Sequence, residues 1–338
     1  MNPVGIGIIG AGFMGKTHAE VVRRYCKNAR LVAIAGGSRA PLLAAEYQAA
    51  CETSVESLLA RRDIDAVIIT TPHDCHVPQG LAAAHEGKHI LMEKPLGVNL
   101  DEIDALIAAC RCSGLNLMTA QTQRYRAGNR KAKALIDSGA IGKILMVEEE
   151  QHVLKPDNLS GSTESCGRLL GHGIHSPDRL RWFLNDEAEW VTGFSGNFEI
   201  QSPHENSSMT LVRFAGGAMA SIWVTFESAP PLFPHSAFHA RIIGEKGLLD
   251  VDSYGQVKLG TPKGWEVAFE QETFDFQRNP LSPVRLQSFT LQNQEFIDSI
   301  LESRPPAVTG EDGRAAVEIV LAAYESQQTH KIVNIGKK

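Results

Sequence analysis

The sequence predicts a two-domain α/β protein: a doubly wound parallel sheet, then an α+β domain with a largely antiparallel open sheet. Three observations carry this. Over residues 1–121, short runs that are apolar at every position alternate with helical patterns, as strands buried on both faces require. A glycine-rich turn, Gly10-Ala11-Gly12-Phe13-Met14-Gly15, joins the first run to the first helix. Beyond residue 121, strand patterns follow one another through short glycine-containing turns. The length of 338 residues also suits two domains at about 150 residues each.

In chain order, apolar runs fall at 5–9, 31–35, 66–70, 89–92 and 116–120, and helical stretches at 14–26, 40–50, 55–60, 77–86 and 100–112. A helix at 129–138 ends at Gly139, and a long strand pattern follows at 143–153. A single helix is expected over 168–184. Strands are expected at 189–199, 207–214, 218–226, 238–244, 248–251 and 257–259, with turns at Ala215-Gly216-Gly217 and Glu245-Lys246-Gly247. Pro230, Pro231 and Pro234 make 228–236 a loop, and helices at 287–302 and 312–329 close the chain. The change of rhythm places the domains at 1–121 and 122–338.

Composition narrows the function. With 43% hydrophobic and 21% charged residues, the chain is neither disordered nor collagenous. A net charge of −6 argues against nucleic acid or an anionic membrane as partner. No apolar stretch is long enough to span a bilayer, and the start MNPVGIGIIG lacks the charged region of a signal peptide, so a cytoplasmic protein is expected. Six cysteines without a CxxC pair suit reduced thiols. Twelve histidines invite a zinc site, but HExxH is missing, His172 and His175 make only an i,i+3 pair, and three or four converging ligands are not evident, so no metal is expected. GxSxG is missing too, which removes the support for a serine nucleophile.

The glycine turn sits between a strand and a helix, the context in which GxGxxG binds a dinucleotide. Gly10 permits the tight turn, Gly12 lets backbone approach a pyrophosphate, and Gly15 lets helix and strand close up, while Phe13 and Met14 open the helix. A nicotinamide dinucleotide is the expected cofactor. An NAD site usually carries an acidic residue at the end of the second strand, yet no Asp or Glu occurs from Val21 to Ala45. Ser38 and Arg39 stand there instead, suited to a 2′-phosphate, so NADP is favoured over NAD.

Further segments carry a resemblance. GAGFMGKTHAE at 10–20, TTPHDCH at 70–76, AAAHEGKHILMEKPL at 82–96, RLLGHGIHSPDRLRWFL at 168–184 and VTGEDGRAAVEIVLAAYES at 308–326 occur in order. The chain resembles the glucose–fructose oxidoreductase / inositol dehydrogenase / MocA family, and Glu93-Lys94-Pro95 is the most specific match. The resemblance implies that Lys94 stands at the nicotinamide and bonds the reacting hydroxyl, with Glu93 beside the nicotinamide ribose. It implies that Thr71, Pro72 and His76 lie along the cofactor, and that Gln121 and Arg124 lie under nicotinamide and substrate. His175 matches a histidine facing the same hydroxyl. The aspartate that precedes it in the family pattern falls on Gly171, which removes a carboxylate. The resemblance further implies oligomer contacts through the outer face of the second sheet, hence a homodimer or homotetramer.

Read as chemistry, hydride removal from a secondary alcohol needs a base for the O–H proton and a pocket aiming the C–H at the nicotinamide. Lys94 at a strand's C-terminal end is a suitable base, its pKa expected to be lowered beside a cationic ring. His175 can shuttle a proton near neutrality, within a polar group of His172, His175, Asp178 and Arg179. His175 and Asp178 form an i,i+3 pair, close enough to touch on one helix face. His172 and Arg124 are candidate substrate contacts, and His152 a candidate on the substrate floor. His235 and His239 flank the proline loop, as lid or interface. The run Glu148, Glu149 and Glu150 reads as the solvated alternation of an exposed strand. The expected activity is reversible oxidation of a secondary hydroxyl of a sugar, inositol or related polyol. Its alternatives are a redox-neutral enzyme with tightly held NAD and a non-catalytic cofactor-binding regulator.

Overall fold

The computed structural model describes residues 2–155 and 166–336. The chain divides into two compact units: Met1–Thr122 with Phe274–Arg314, and Gln123–Thr273 with Ala315–Lys338. The sheet changes near residue 122 as the rhythm of the sequence suggests, but residues 274–314 return to the first unit rather than staying with the second.

The first unit begins with β1 (Val4–Ile9), α1 (Phe13–Arg24), β2 (Ala29–Ala35), α2 (Ala40–Tyr47), β3 (Ala50–Cys51), α3 (Val55–Leu59), β4 (Ala66–Ile69), α4 (His73–His85), β5 (His89–Met92), α5 (Leu100–Cys112) and β6 (Leu117–Thr119). The strands form one parallel sheet in the order β3-β2-β1-β4-β5-β6. Every residue of β1 and β4 is buried, which is why those runs are apolar throughout. The expected helix 40–50 stops early because Gln48 turns left-handed at φ 54°, and Ala50 joins the short edge strand β3.

The second unit carries α6 (Ala127–Asp137), β7 (Ile144–Leu154), α7 (Arg168–Gly171), α8 (His175–Leu184), β8 (Ala188–Gly196), β9 (Ser207–Phe214), β10 (Met219–Ser228), β11 (Phe238–Gly244), β12 (Leu248–Asp252), β13 (Gln256–Thr261) and β14 (Gly264–Glu270). Then come α9 (Pro283–Leu301) in the first unit, α10 (Gly310–Thr329), which continues into the second, and β15 (Val333–Asn334). The strand order is β14-β13-β12-β11-β7-β10-β9-β8-β15, antiparallel except for the central pair β7 and β10. Strand β14 has no counterpart among the expected segments, although Trp265, Val267 and Phe269 alternate at the strand period.

Two differences from expectation shape the site. The helix over 168–184 is broken into α7 and α8 by a turn at His172–Ile174. Gly173 is pressed so close to β10 that a Cβ there would lie 2.9 Å from both the Leu169 carbonyl oxygen and Cγ2 of Val224. The carboxylates of β7 are also not a solvated run. Glu149 and Glu150 are 0% and 3% exposed, because Arg179 covers the first and His235 and His239 cover the second, while Glu148 stays half-exposed.

Candidate active site

In the first unit the glycine turn divides into structural and open positions. Gly10 has φ +109° and lies against Thr70, where a Cβ would come within 2.7 Å of Oγ1 and 2.8 Å of the carbonyl. At Gly15 a Cβ would meet the Gly10 carbonyl oxygen at 2.0 Å, so helix and strand can close up only around glycine. Gly12 differs: beyond its own turn and helix, a Cβ there would meet, among the described residues, Nη2 of Arg39 at 3.7 Å and nothing closer. The helix start at Gly12 has no side-chain cap, and its first turn holds no acidic residue. Uncapped N–H groups and open space over Gly12 form a cradle that suits an anion, so the residues present fit a dinucleotide diphosphate. Phe13 is exposed and meets Phe276 edge-on at 5.9 Å, with the Arg285 guanidinium 4.8 Å from its ring. Met14 packs inward against Val21, Leu286 and Phe289, the contact that joins α1 to α9. Ser38 and Arg39 are exposed at the end of β2.

Around Lys94 the structure adds partners that pattern reasoning did not assign. Glu93 is buried at the end of β5. Its Oε1 lies 3.1 Å from Nε2 of His18, and its Oε2 accepts the Lys94 backbone N–H at 3.1 Å. His18 is fully buried, with Nδ1 3.1 Å from Oδ1 of Asn293 on α9. Burial works to raise the Glu93 pKa, but the His18 hydrogen bond and nearby positive charge hold it below the ordinary carboxylate value. His18 lies inside the motif GKTHAE, so its spacing from the glycine turn was legible, whereas Asn293 lies 275 residues away and was not.

The loop after β4 wraps the same lysine. Thr71 Oγ1 donates to Gln79 at 2.6 Å, and Pro72 sits at the entry to α4. The buried His76 bridges the Pro95 and Thr71 carbonyl oxygens at 2.8 and 2.9 Å, tying this loop to the Lys94 segment. Its pKa is lowered by burial, against the pull of those two acceptors. His73, also unassigned from sequence, meets His76 edge-on at 5.7 Å. Burial first and the Lys94 charge second push its pKa down to about 4, so it is neutral at pH 7 and adds no positive charge beside Lys94. Lys94 itself is half-buried. Gln121 is fully buried just past β6, and the neighbouring Thr122 hydroxyl donates to Gln292 at 2.8 Å.

In the second unit, His172 and His175 both meet the ring of Phe238, the first stacked at 5.6 Å and the second edge-on at 5.8 Å. Gln151 of β7 sits beneath them, with Oε1 3.3 Å from His172 Nδ1 and Nε2 donating to the Ser176 hydroxyl at 2.8 Å. Asp178 is bound instead by Arg124, through Nε at 2.9 Å and Nη2 at 2.7 Å. This bidentate pair pins Arg124 to α8, a positioning contact that occupies part of the guanidinium read as a substrate grip. Arg179 turns away into the core, where it pairs with Glu149. The break at Gly173 also removes the one-turn helical relation between residue 171 and His175.

His152 departs from its expected place. Strand side chains alternate between faces, and Gln151 points to His172. His152 therefore lies on the opposite face of the sheet, 4.3 Å from the Trp223 ring and 4.8 Å from that of Phe233. It is not on the floor shared by Gln151, His172 and His175.

Comparison with known proteins agrees with this geometry. Residues 4–121 match the oxidoreductase family with NAD-binding Rossmann fold, and residues 133–335 match the C-terminal alpha/beta domain of the same family. The 2,7-anhydro-N-acetylneuraminate hydratase of Mediterraneibacter gnavus is 24% identical, with 100% of this chain and 98% of the relative covered. The 1,5-anhydro-D-fructose reductase of Ensifer adhaerens is 29% identical over 84% of this chain and 83% of its own length. Among solved structures, scyllo-inositol dehydrogenase from Lactobacillus casei, with NAD(H) and scyllo-inositol bound, superposes with a TM-score of 0.83 at 25% identity, covering 99% of this chain and all of that one (100%). Two matching family domains in sequence order, with the glycine cradle and the Glu93-Lys94-Pro95 segment built as described, place this chain in the glucose–fructose oxidoreductase / inositol dehydrogenase / MocA family of oxidoreductases.

Proposed function

We propose that the protein is an NAD(P)-dependent oxidoreductase acting on a secondary hydroxyl of a sugar, inositol or related polyol. The observation that carries the reading is Lys94: a half-buried ammonium at the C-terminal end of a parallel strand, flanked by an anchored carboxylate and a neutral histidine, in the unit that holds the diphosphate cradle. Bound nicotinamide supplies or accepts the hydride at its C4. Lys94 takes the hydroxyl proton in the oxidation and returns it in the reduction. His175 is proposed as the second proton carrier and His172 as a substrate contact, both oriented by Phe238 and, for His172, by Gln151. The test is nicotinamide reduction across a panel of inositols, sugars and polyols by purified protein. Absence of turnover on the whole panel, with cofactor bound, would replace this reading by a non-catalytic regulator.

NADP is the proposed cofactor, on Ser38 and Arg39 exposed just after β2 and on the missing acidic residue there. A charge-assisted contact to a 2′-phosphate is worth about 1.5–3 kcal/mol, so Arg39→Asp should weaken NADP binding roughly 10–100-fold and leave NAD within a few-fold. Calorimetric titration of both nucleotides decides this, and a parent preferring NAD would refute it.

A second reading rests on Gly171 and on the relative named as a hydratase: a redox-neutral enzyme that oxidises transiently with tightly held NAD. Nicotinamide absorbance that survives gel filtration, with activity indifferent to added NADP, selects it.

A homo-oligomer is proposed through the outer face of the second sheet. Met146, Leu211, Met219, Ile243, Leu248 and Trp265 lie exposed there together, an apolar patch uncommon on a monomer. Light scattering should give a dimer or tetramer, and Leu211→Lys with Met219→Lys should shift it to monomer without loss of secondary structure. A monomeric parent would end the proposal.

A further inference from the structure

On the outer face of the second sheet, away from Gln151, His172 and His175, a second polar cluster is built from β7, β11 and the loop between β10 and β11. Glu150, His235 and His239 each offer a ligand atom, all within 4.8 Å of one another. Oε1 of Glu150 lies 2.8 Å from Nδ1 of His239 and 3.4 Å from Nε2 of His235. The two imidazoles are stacked 4.1 Å apart, so both present an edge toward the same carboxylate.

The other nitrogen of each ring is already engaged by an acceptor. Nε2 of His239 lies 2.8 Å from Oδ1 of Asp250, and Nδ1 of His235 lies 2.9 Å from the Ser236 carbonyl oxygen. Such outward bonds hold the ring proton on the far nitrogen and leave the inward one a lone pair, the arrangement seen in metal-bound histidines. A carboxylate oxygen and a ring lone pair at hydrogen-bond distance need a positive species between them, either a second ring proton or a cation. Three unpartnered ring nitrogens point to a cation. Nε2 of His235 is buried and has no hydrogen-bond partner among the described residues. The same holds for both ring nitrogens of His152, a side chain only 3% exposed whose Nε2 lies 3.7 Å from Oε2 of Glu150. Opposing this, Nη2 of Arg241 stands 3.0 Å from Oε1 of Glu150. Arg241 is half-exposed and already reaches Glu148 at 3.1 Å, so it has another carboxylate to turn to.

We propose that Glu150, His235 and His239 bind a divalent first-row transition cation of the zinc class, bordered by His152, which fastens the proline-containing loop to β7 and β11. Two imidazoles and a carboxylate suit such a cation better than magnesium or calcium, which prefer oxygen donors. Ligand atoms around tetrahedral zinc stand roughly 3.3 Å apart, so the Glu150–His235 spacing already fits, and the Glu150–His239 contact opens by about half an ångström. Sequence spacing hides the set because its members come from two strands and a loop, residues 150, 235 and 239.

The test uses tag-free full-length protein stripped with chelator and then titrated with cobalt(II) and zinc(II) chlorides. The expected result is one cobalt per chain, with the visible absorption of a low-coordinate nitrogen and oxygen site. Zinc should raise the unfolding temperature by at least about 2 °C, reversed by chelator. His235→Gln, in the loop, should abolish the cobalt spectrum while circular dichroism stays native. Asp250→Asn, which touches the metal only through His239, should weaken affinity about 10–100-fold. A folded parent that takes up no cobalt or zinc at about 0.1 mM overturns the proposal, since the cluster is then held by ring protons alone. Binding by His235→Gln and Asp250→Asn equal to the parent overturns it as well.

Discussion

Lys94→Ala is expected to lower the rate of hydride transfer by about 10²–10⁴-fold, the usual contribution of a positioned acid–base group. Cofactor affinity should change much less, because the diphosphate cradle at Gly12 does not involve this side chain. The split matters: a structural role for Lys94 would move binding and rate together. Lys94→Arg should not restore the rate, since a guanidinium keeps its charge but cannot surrender a proton near neutral pH. The surroundings explain why loss of one ammonium is not made good by a neighbour. Glu93 is engaged by His18 and by the Lys94 backbone, His76 bridges two carbonyl oxygens, and His73 is neutral at pH 7. Steady-state rates with both variants, alongside nucleotide titration, provide the check. Alanine turning over at the parental rate would remove Lys94 from the chemistry.

The largest expected effect on stability lies in the second unit. Arg179 and Glu149 are 1% and 0% exposed. The Arg179 Nε donates to Glu149 at 2.8 Å, Nη2 pairs with the same carboxylate, and Nη1 reaches Ser253 and Asn129. This joins α8 and α6 to β7 and to the chain just after β12. Removing one partner leaves an uncompensated buried charge, so Arg179→Ala or Glu149→Ala should cost about 3–5 kcal/mol. At roughly 2–4 °C per kcal/mol for a unit of this size, the midpoint should fall by about 6–20 °C. The double replacement Arg179→Met with Glu149→Leu should recover much of the loss, because the charges disappear together. Urea unfolding of the two single variants and the double variant tests this. Single variants as stable as the parent would show that water reaches the pair.

Gly12, Gly15 and Lys94 illustrate what one-dimensional reading can reach. Their placement follows from neighbours within a few positions: a strand before the turn, a helix after it, a lysine at a strand end. Local sterics and period-two or period-3.6 alternation are written into consecutive residues, so the parallel sheet and most element positions were legible. Glu149, Glu150 and His152 show the limit. Alternation tells that adjacent residues on β7 face opposite ways, but not which face each takes or what covers it. Their surroundings come from Arg179, His239 and Trp223, between 30 and 89 residues distant.

The sequence by itself therefore determined the fold class, the family, the dinucleotide turn and the lysine at the end of β5, because each depends on short-range geometry. Only the tertiary structure decided that α9 returns to α1, that His18 reaches Asn293, that Gly173 breaks the histidine helix, and that His152 turns to the far face beside Glu150. Those outcomes depend on which surfaces meet once sheets and helices pack, and packing pairs residues by space rather than by order along the chain.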